Sequence, residues 1–200
     1  GSCLIFYYLH YICMLKLNLG CGSKILDGYK NIDKFDYYKP DIVHDLELTP
    51  YPFEKNSVDE ILLSHVLEHI GQDPNVFNNI IKEFYRICKN GSIIHIKVPH
   101  PNHNDFISDP THVRPITVLG LQLYDKEMNK KWEIMNAANT PLALIHNVNF
   151  KILSANFNLE TKYMTLLKEK KISEDDLKEY IDKYNNVVKE MDIKWRVIKD

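Results

Sequence analysis

The sequence predicts an α/β fold: a doubly wound, mostly parallel sheet built as a single domain. Three observations lead there. Leu15-Lys16-Leu17-Asn18-Leu19 reads as a buried strand that breaks into the turn Gly20-Cys21-Gly22-Ser23. A second strand closes on an acid at Asn31-Ile32-Asp33. Strand and helix patterns then alternate through the first hundred residues, and that alternation builds a parallel sheet.

Each element has its own signal. The run Val58 to Ser64 is apolar and bounded by charge, as a buried central strand should be. Asp73-Pro74 starts a helix, with a side-chain acceptor at the N-cap and proline in the first turn. Phe77, Ile80, Ile81, Phe84 and Cys88 recur at helical spacing, and Asn90-Gly91 is expected to end that helix. A strand over 92–99 follows and is stopped by Pro99 and Pro101. Residues 99–115 are a polar loop broken by prolines, long enough to suggest function. Beyond it the pattern predicts a helix over 115–131 and strand-like alternation over 150–167. Ser173 opens an amphipathic helix with Leu177, Tyr180, Ile181, Tyr184, Val188 and Met191 on one face. Ile193, Trp195 and Val197 alternate with charged residues as a closing strand.

Composition narrows the function. A chain of 200 residues, 44% hydrophobic, suits one sizeable core. A formal net charge of −2 gives no general attraction to polyphosphate, so nucleic acid is not an expected partner. Cys3, Cys13, Cys21 and Cys88 show neither metal-ligand spacing nor a disulfide framework, which points to a reducing cytoplasmic setting. The apolar run over 3–13 is too short to span a bilayer and lacks the basic start and cleavage site of a signal peptide.

The glycine turn and the acid together describe a nucleoside site. Gly20 and Gly22 let the backbone turn sharply and lie flat against a ligand, and Asp33 accepts from two ribose hydroxyls. A dinucleotide fingerprint wants a third glycine where Ile25 stands, and an acid roughly 20 residues on. Asp33 comes much sooner, and residues 20–29 hardly hold a crossover helix. A cofactor with a nucleoside but no phosphates fits better.

Leu-Asn-Leu-Gly-Cys-Gly, followed by Asp27-Gly28-Tyr29-Lys30-Asn31-Ile32-Asp33, resembles the first motif of class I S-adenosylmethionine-dependent methyltransferases, in particular a small subgroup of type 11 character. The resemblance continues through Asp41-Ile42-Val43-His44-Asp45-Leu46, Ser57-Val58-Asp59-Glu60-Ile61 and Ser64-His65-Val66-Leu67-Glu68-His69-Ile70, and covers about 14–115. Asp27 and Asn90-Gly91-Ser92 depart from the family pattern, both in turns. The family implies a Rossmann-like sheet with an antiparallel last strand. It implies S-adenosylmethionine as cofactor and S-adenosylhomocysteine as product. It also implies cofactor contacts from Asn18, Gly20, Cys21, Gly22, Asp33, Lys34, Asp45, Leu46, Ser64 and His65. Residues 1–13 then read as a tag or extension, with Gly1-Ser2 a cloning remnant, and 14–200 as the methyltransferase domain. A helical insertion at about 168–191 is expected near the substrate side.

Two histidine-rich stretches carry the remaining chemistry. His65-Val66-Leu67-Glu68-His69 matches an inverted zinc-protease motif, but it begins where a parallel strand ends rather than on a helix, which argues against proteolysis. The loop holding His100, His103, Asp105, Asp109 and His112 sits at the carboxyl end of the fifth strand, where open sheets bind ligands. His103, His112 or Asp105 is the expected general base, if the acceptor must lose a proton, with histidine suited by its pKa. The alternative is that these residues only pin the loop. No resident metal is expected, although His100, His103 and His112 are conceivable ligands. The expected activity is methyl transfer to an oxygen or nitrogen of a small molecule or sugar. A cofactor-binding module without transfer and a metal-dependent hydrolase are the alternatives.

Overall fold

The computed structural model describes residues 14–199, so the expected extension at 1–13 lies outside the described residues. A seven-stranded sheet runs through the molecule. Its strands are β1 (Lys16–Leu19), β2 (Lys30–Asp33), β3 (Ile42–Val43), β4 (Val58–Ser64), β5 (Cys88–Pro99), β6 (Phe150–Leu159) and β7 (Val188–Val197). They lie in the order β3-β2-β1-β4-β5-β7-β6. Every pairing is parallel except the two made by β7, which runs antiparallel to both β5 and β6. This is the predicted sheet, antiparallel last strand included. No helix among the described residues is long and apolar enough to cross a membrane.

The loop from β1 to β2 holds no helix, and two asparagines shape it instead. Asn18, buried on β1, donates from Nδ2 to Lys24 O (2.7 Å) and to Asn31 Oδ1 (2.9 Å). Asn31 Oδ1 also accepts from Leu26 N–H, so the loop folds back on the strand pair.

Helix α1 (Pro74–Ile87) starts where predicted, with Asp73 accepting from Asn75 N–H. Phe77, Ile80, Ile81, Phe84 and Ile87 face the sheet and are buried. The helix ends at Ile87, before the expected Asn90-Gly91, because Cys88 already pairs with Val58 as the first residue of β5. Gly91, at φ +86°, marks the register shift between the Val58–Cys88 and Glu60–Ile93 pairs rather than a helix cap.

Arg86 locks α1 to the segment ahead of β4. It grips Glu83 with Nε and Nη2 (both 2.8 Å) and donates to Phe53 O and Tyr51 O, while Glu83 Oε2 accepts from Tyr51 N–H (2.7 Å). Burial alone would raise the Glu83 pKa, but Arg86 and the Tyr51 N–H more than offset it and hold the carboxyl low. A depressed folded pKa gives stability that is present above the unfolded value near 4.3 and lost as pH falls through the folded value. Glu83→Gln should therefore cost about 2 kcal/mol in urea unfolding at pH 7. The gap to wild type should close as the pH is taken below about 4.

The C-terminal half departs most from expectation. The helix predicted over 115–131 is two, α3 (Val118–Gln122) and α4 (Lys126–Ile134), because Asp125 caps the second by accepting from Glu127 and Met128 N–H. A short α5 (Leu142–His146) precedes β6. The alternation over 150–167 is strand only to Leu159; helix α6 (Thr161–Lys168) follows. Ser173 and Asp176 form the capping box of α7 (Glu174–Lys183). Val188 and Met191, predicted on that helix face, lie on β7 and pair with Leu159 and Phe157 of β6. The insertion between the last two strands thus carries its helices within 161–183, not 168–191. Another one-turn helix, α2 (Asn104–Ile107), interrupts the loop after β5.

Candidate functional site

Strand order reverses at β1, where β2 lies on one side and β4 on the other, and open sheets leave a crevice at such a point. A cavity of about 240 Å³ opens there, beyond the carboxyl ends of four strands. Gly20 and Gly22 follow β1, Asp33 and Lys34 stand at the end of β2, Asp45 and Leu46 follow β3, and His65 and His69 follow β4. A larger depression of about 800 Å³ lies by Asn56 and Asn90, at the amino ends of β4 and β5, rimmed by Lys55, Lys82, Lys89 and Lys199. It holds none of the predicted residues and sits at the end of the sheet away from ligand chemistry.

The two loop glycines are needed for different reasons. Gly20 takes φ +65°, and a Cβ there would stand 2.6 Å from Val66 Cγ2, so the loops after β1 and β4 approach too closely for a side chain. Gly22, at φ +50°, would meet no atom within 4 Å. Its left-handed backbone aims the N–H at Asp33 Oδ2 (2.9 Å), while Asp33 Oδ1 accepts from Phe35 N–H (3.0 Å). Two backbone donors therefore orient the carboxylate at the cavity wall, and each oxygen keeps a second lone pair for a ligand.

Three of the residues expected around a cofactor do not line the cavity. Asn18 is spent on the loop scaffold, Ser64 is the last paired residue of β4, and Cys21 is buried behind the turn, with its N–H on Ile32 O. Burial, then the Asp33 charge, pushes the Cys21 thiol above its usual range and leaves it unreactive. Several residues the sequence reading passed over do line the cavity, among them Phe35, Tyr38 and Ile70. The aromatic run directly after Asp33 was the available signal.

His65 is held in an unusual pose. It adopts φ +57°, a left-handed conformation uncommon outside glycine, and its N–H reaches Lys97 O. Ring Nε2 stands 2.8 Å from Glu190 Oε2 on β7, and Nδ1 stands 3.3 Å from Glu68 Oε1. The second contact is close enough for an ion pair but out of line for a hydrogen bond. Direct contact of the Glu68 carboxylate with Nδ1 raises the His65 pKa most, burial opposes it, and the Glu190 hydrogen bond raises it further, for a net upward shift. Glu190, far along the chain, had no local signal.

The loop after β5 does not gather its expected bases. His103, 5% exposed, caps α2: Nδ1 accepts from Asp105 N–H and Nε2–H donates to Glu160 Oε1, both at 3.0 Å. Both nitrogens are occupied, so His103 pins the loop instead of facing the cavity. Asp105 is exposed, in a separate depression shared with Lys162 and Asn186. His112 donates from Nδ1 to Phe106 O (2.8 Å), stacks on Phe106, and meets His69 edge to face at 4.5 Å between centroids. It stands one ring behind the cavity. His100 packs near Phe157, so the conceivable His100, His103 and His112 ligand set is not assembled.

Comparison with known proteins agrees with this geometry. The family model for a methyltransferase domain matches residues 33–96, which hold Asp33, the loop after β3 and the loop after β4. No curated protein matches the sequence. Among solved structures, a SAM-dependent methyltransferase from Archaeoglobus fulgidus aligns with TM-score 0.59 at 19% identity, covering 92% of this chain and 86% of that one. A putative S-adenosylmethionine-dependent methyltransferase from Listeria monocytogenes aligns with TM-score 0.52 at 15% identity, covering 93% and 92%. The cyclase SpnF shares the fold at TM-score 0.53 and 14% identity, covering 94% and 76%. Residues 33–96 thus resemble a methyltransferase domain, and the sheet, with its strand order reversing beside a cradled carboxylate, has the fold of these solved structures.

Proposed function

We propose that the chain moves a methyl group from S-adenosylmethionine to an oxygen or nitrogen of a small molecule or sugar. The observation that carries the cofactor half is the Asp33 carboxylate, oriented at the cavity by the N–H groups of Gly22 and Phe35. The donor set suits a nucleoside bearing an amino acid rather than a pyrophosphate. It offers an acid for a diol and apolar walls at Leu46, Val66 and Ile70, with no helix start behind the glycine turn.

When bound, S-adenosylmethionine supplies an electrophilic methyl on a sulfonium. The chain's own residues then bind and align. Asp33 takes the ribose hydroxyls, and Asp45 and Leu46, which line the same cavity, take the base. Gly20 keeps the floor thin between the loops after β1 and β4. Transfer needs in-line placement of the acceptor and exclusion of water, which position and desolvation supply. His103 and Asp105 carry no step in this reading, since one is fully hydrogen-bonded and the other faces away.

The acceptor class rests on less: a near-neutral charge balance that offers no polyanion track, and a cavity of small-molecule scale. A cytoplasmic setting follows from the cysteine usage. Titration calorimetry with S-adenosylmethionine, followed by S-adenosylhomocysteine release with a panel of hydroxyl and amine acceptors, tests both halves. Saturable binding with acceptor-dependent turnover is expected. Binding without turnover on any acceptor leaves a cofactor-binding module, and no binding by folded protein ends the reading.

A further inference from the structure

We propose that Glu68, His69 and His112 form a site for a divalent transition-metal ion of the zinc class, set against the wall of the cavity. Among the described residues, one ligand atom from each lies within 4.8 Å of the other two. Tetrahedral ligands on bonds of 2.0–2.1 Å stand about 3.3 Å apart, so small side-chain rotations close the triad.

Glu68 is the strongest argument. It is fully buried, and neither carboxylate oxygen has a hydrogen-bond partner. Buried carboxylates are otherwise paired, hydrogen-bonded or on a metal. Its ion-pair contact among the described residues, His65, offers only the misaligned approach already described and gives its other nitrogen to Glu190.

Both histidines are presented as ligands. Thr111 Oγ1 donates to Asp109 Oδ1 (2.6 Å), so the same hydroxyl can only accept from His69 Nδ1–H (2.9 Å). His112 Nδ1–H is fixed on Phe106 O. Each ring therefore carries its proton on Nδ1 and leaves Nε2 with a free lone pair, the arrangement that outer-shell acceptors impose on metal-bound histidine. Asp109 Oδ2, 3.8 Å from His112 Nε2, adds negative charge at the edge of the site. Two imidazoles and one carboxylate select zinc or a neighbouring ion over magnesium, and three protein ligands leave a fourth position for water or a ligand oxygen.

The site also explains the Glu68-His69 pair better than a helical zinc motif. Leu67–His69 is a single 3-10 turn, and His65 is swung off it by its left-handed backbone. The third ligand comes instead from His112, on a segment tied to the same turn by Val113 N–H on Glu68 O.

The test is zinc and cobalt binding by the full chain after dialysis against a chelator, without S-adenosylmethionine, so that it stands apart from the cofactor reading. Wild type should take one ion per chain, show a visible cobalt absorption band, and melt at higher temperature with zinc. His112→Ala and Glu68→Gln should each weaken uptake at least tenfold, while His103→Ala leaves it unchanged. If His112→Ala does not fold, the isosteric Glu68→Gln variant decides. No uptake by folded wild type, or equal losses in His103→Ala and Glu68→Gln, overturns the site.

Discussion

Replacing Asp33 with alanine should raise the dissociation constant for S-adenosylmethionine about a hundredfold, equivalent to about 2.7 kcal/mol. Two hydroxyl donors meeting a carboxylate account for that range, since hydrogen bonds to charged groups contribute about 1.5–3 kcal/mol net. The carboxylate also accepts from Gly22 and Phe35 N–H, so its loss slackens the glycine turn as well. Phe35 is exposed and Gly22 only half-buried, so water can replace the acceptor, and the stability cost should stay near 1 kcal/mol. Asp33→Asn is the sharper control: it keeps the volume but turns one acceptor into a donor facing a backbone N–H. Calorimetry on both variants, with melting curves alongside, separates affinity from folding. An Asp33→Ala affinity within threefold of wild type would remove the carboxylate from the cofactor site.

The largest stability effect should come from Trp195. It is fully buried on β7, stacked on Phe150 with centroids 4.0 Å apart and edge-on to Tyr124. Trp195→Ala should cost about 3–5 kcal/mol and lower the melting temperature by roughly 10 °C. The indole Nε1–H has no hydrogen-bond partner, so Trp195→Phe removes an unsatisfied donor while giving up volume, and should cost only about 1–2 kcal/mol. Trp195 pairs with Ile94, well down the sheet from the cavity, so folded protein of either variant should bind cofactor as wild type does. Urea unfolding checks the first statement and calorimetry the second; a cost below 1 kcal/mol for alanine would show the core does not depend on this ring.

What the sequence revealed was local. The strand Val58–Ser64 and the Asp73 cap are written in contiguous residues, and both stand as read. The glycine turn and Asp33 were legible for the same reason, being close along the chain and joined by one hydrogen bond. Errors gather where distant partners override local pattern. Val188 and Met191 keep helical spacing with Leu177 and Ile181, yet pairing with β5 and β6 draws them into a strand. Cys88 keeps the spacing of α1 but pairs with Val58. In the loop after β5, three histidines and two acids looked equivalent. Only the fold shows that α2 turns His103 toward Glu160 and leaves His112 beside His69 and Glu68.

The inserted helices have a bearing on recombining this domain with its relatives. The stretch bracketing α6 and α7 is laced to the loop after β5 at four points. His103 binds Glu160, Asn186 N–H reaches Asn102 O, Asn104 N–H reaches Asn186 Oδ1, and His100 N–H reaches Lys189 O. A chimaera that imports one stretch without the other severs all four ties at once. The transplantable cassette is therefore discontinuous, two pieces of sequence behaving as one module, and crossover points chosen from the linear chain alone would cut through it.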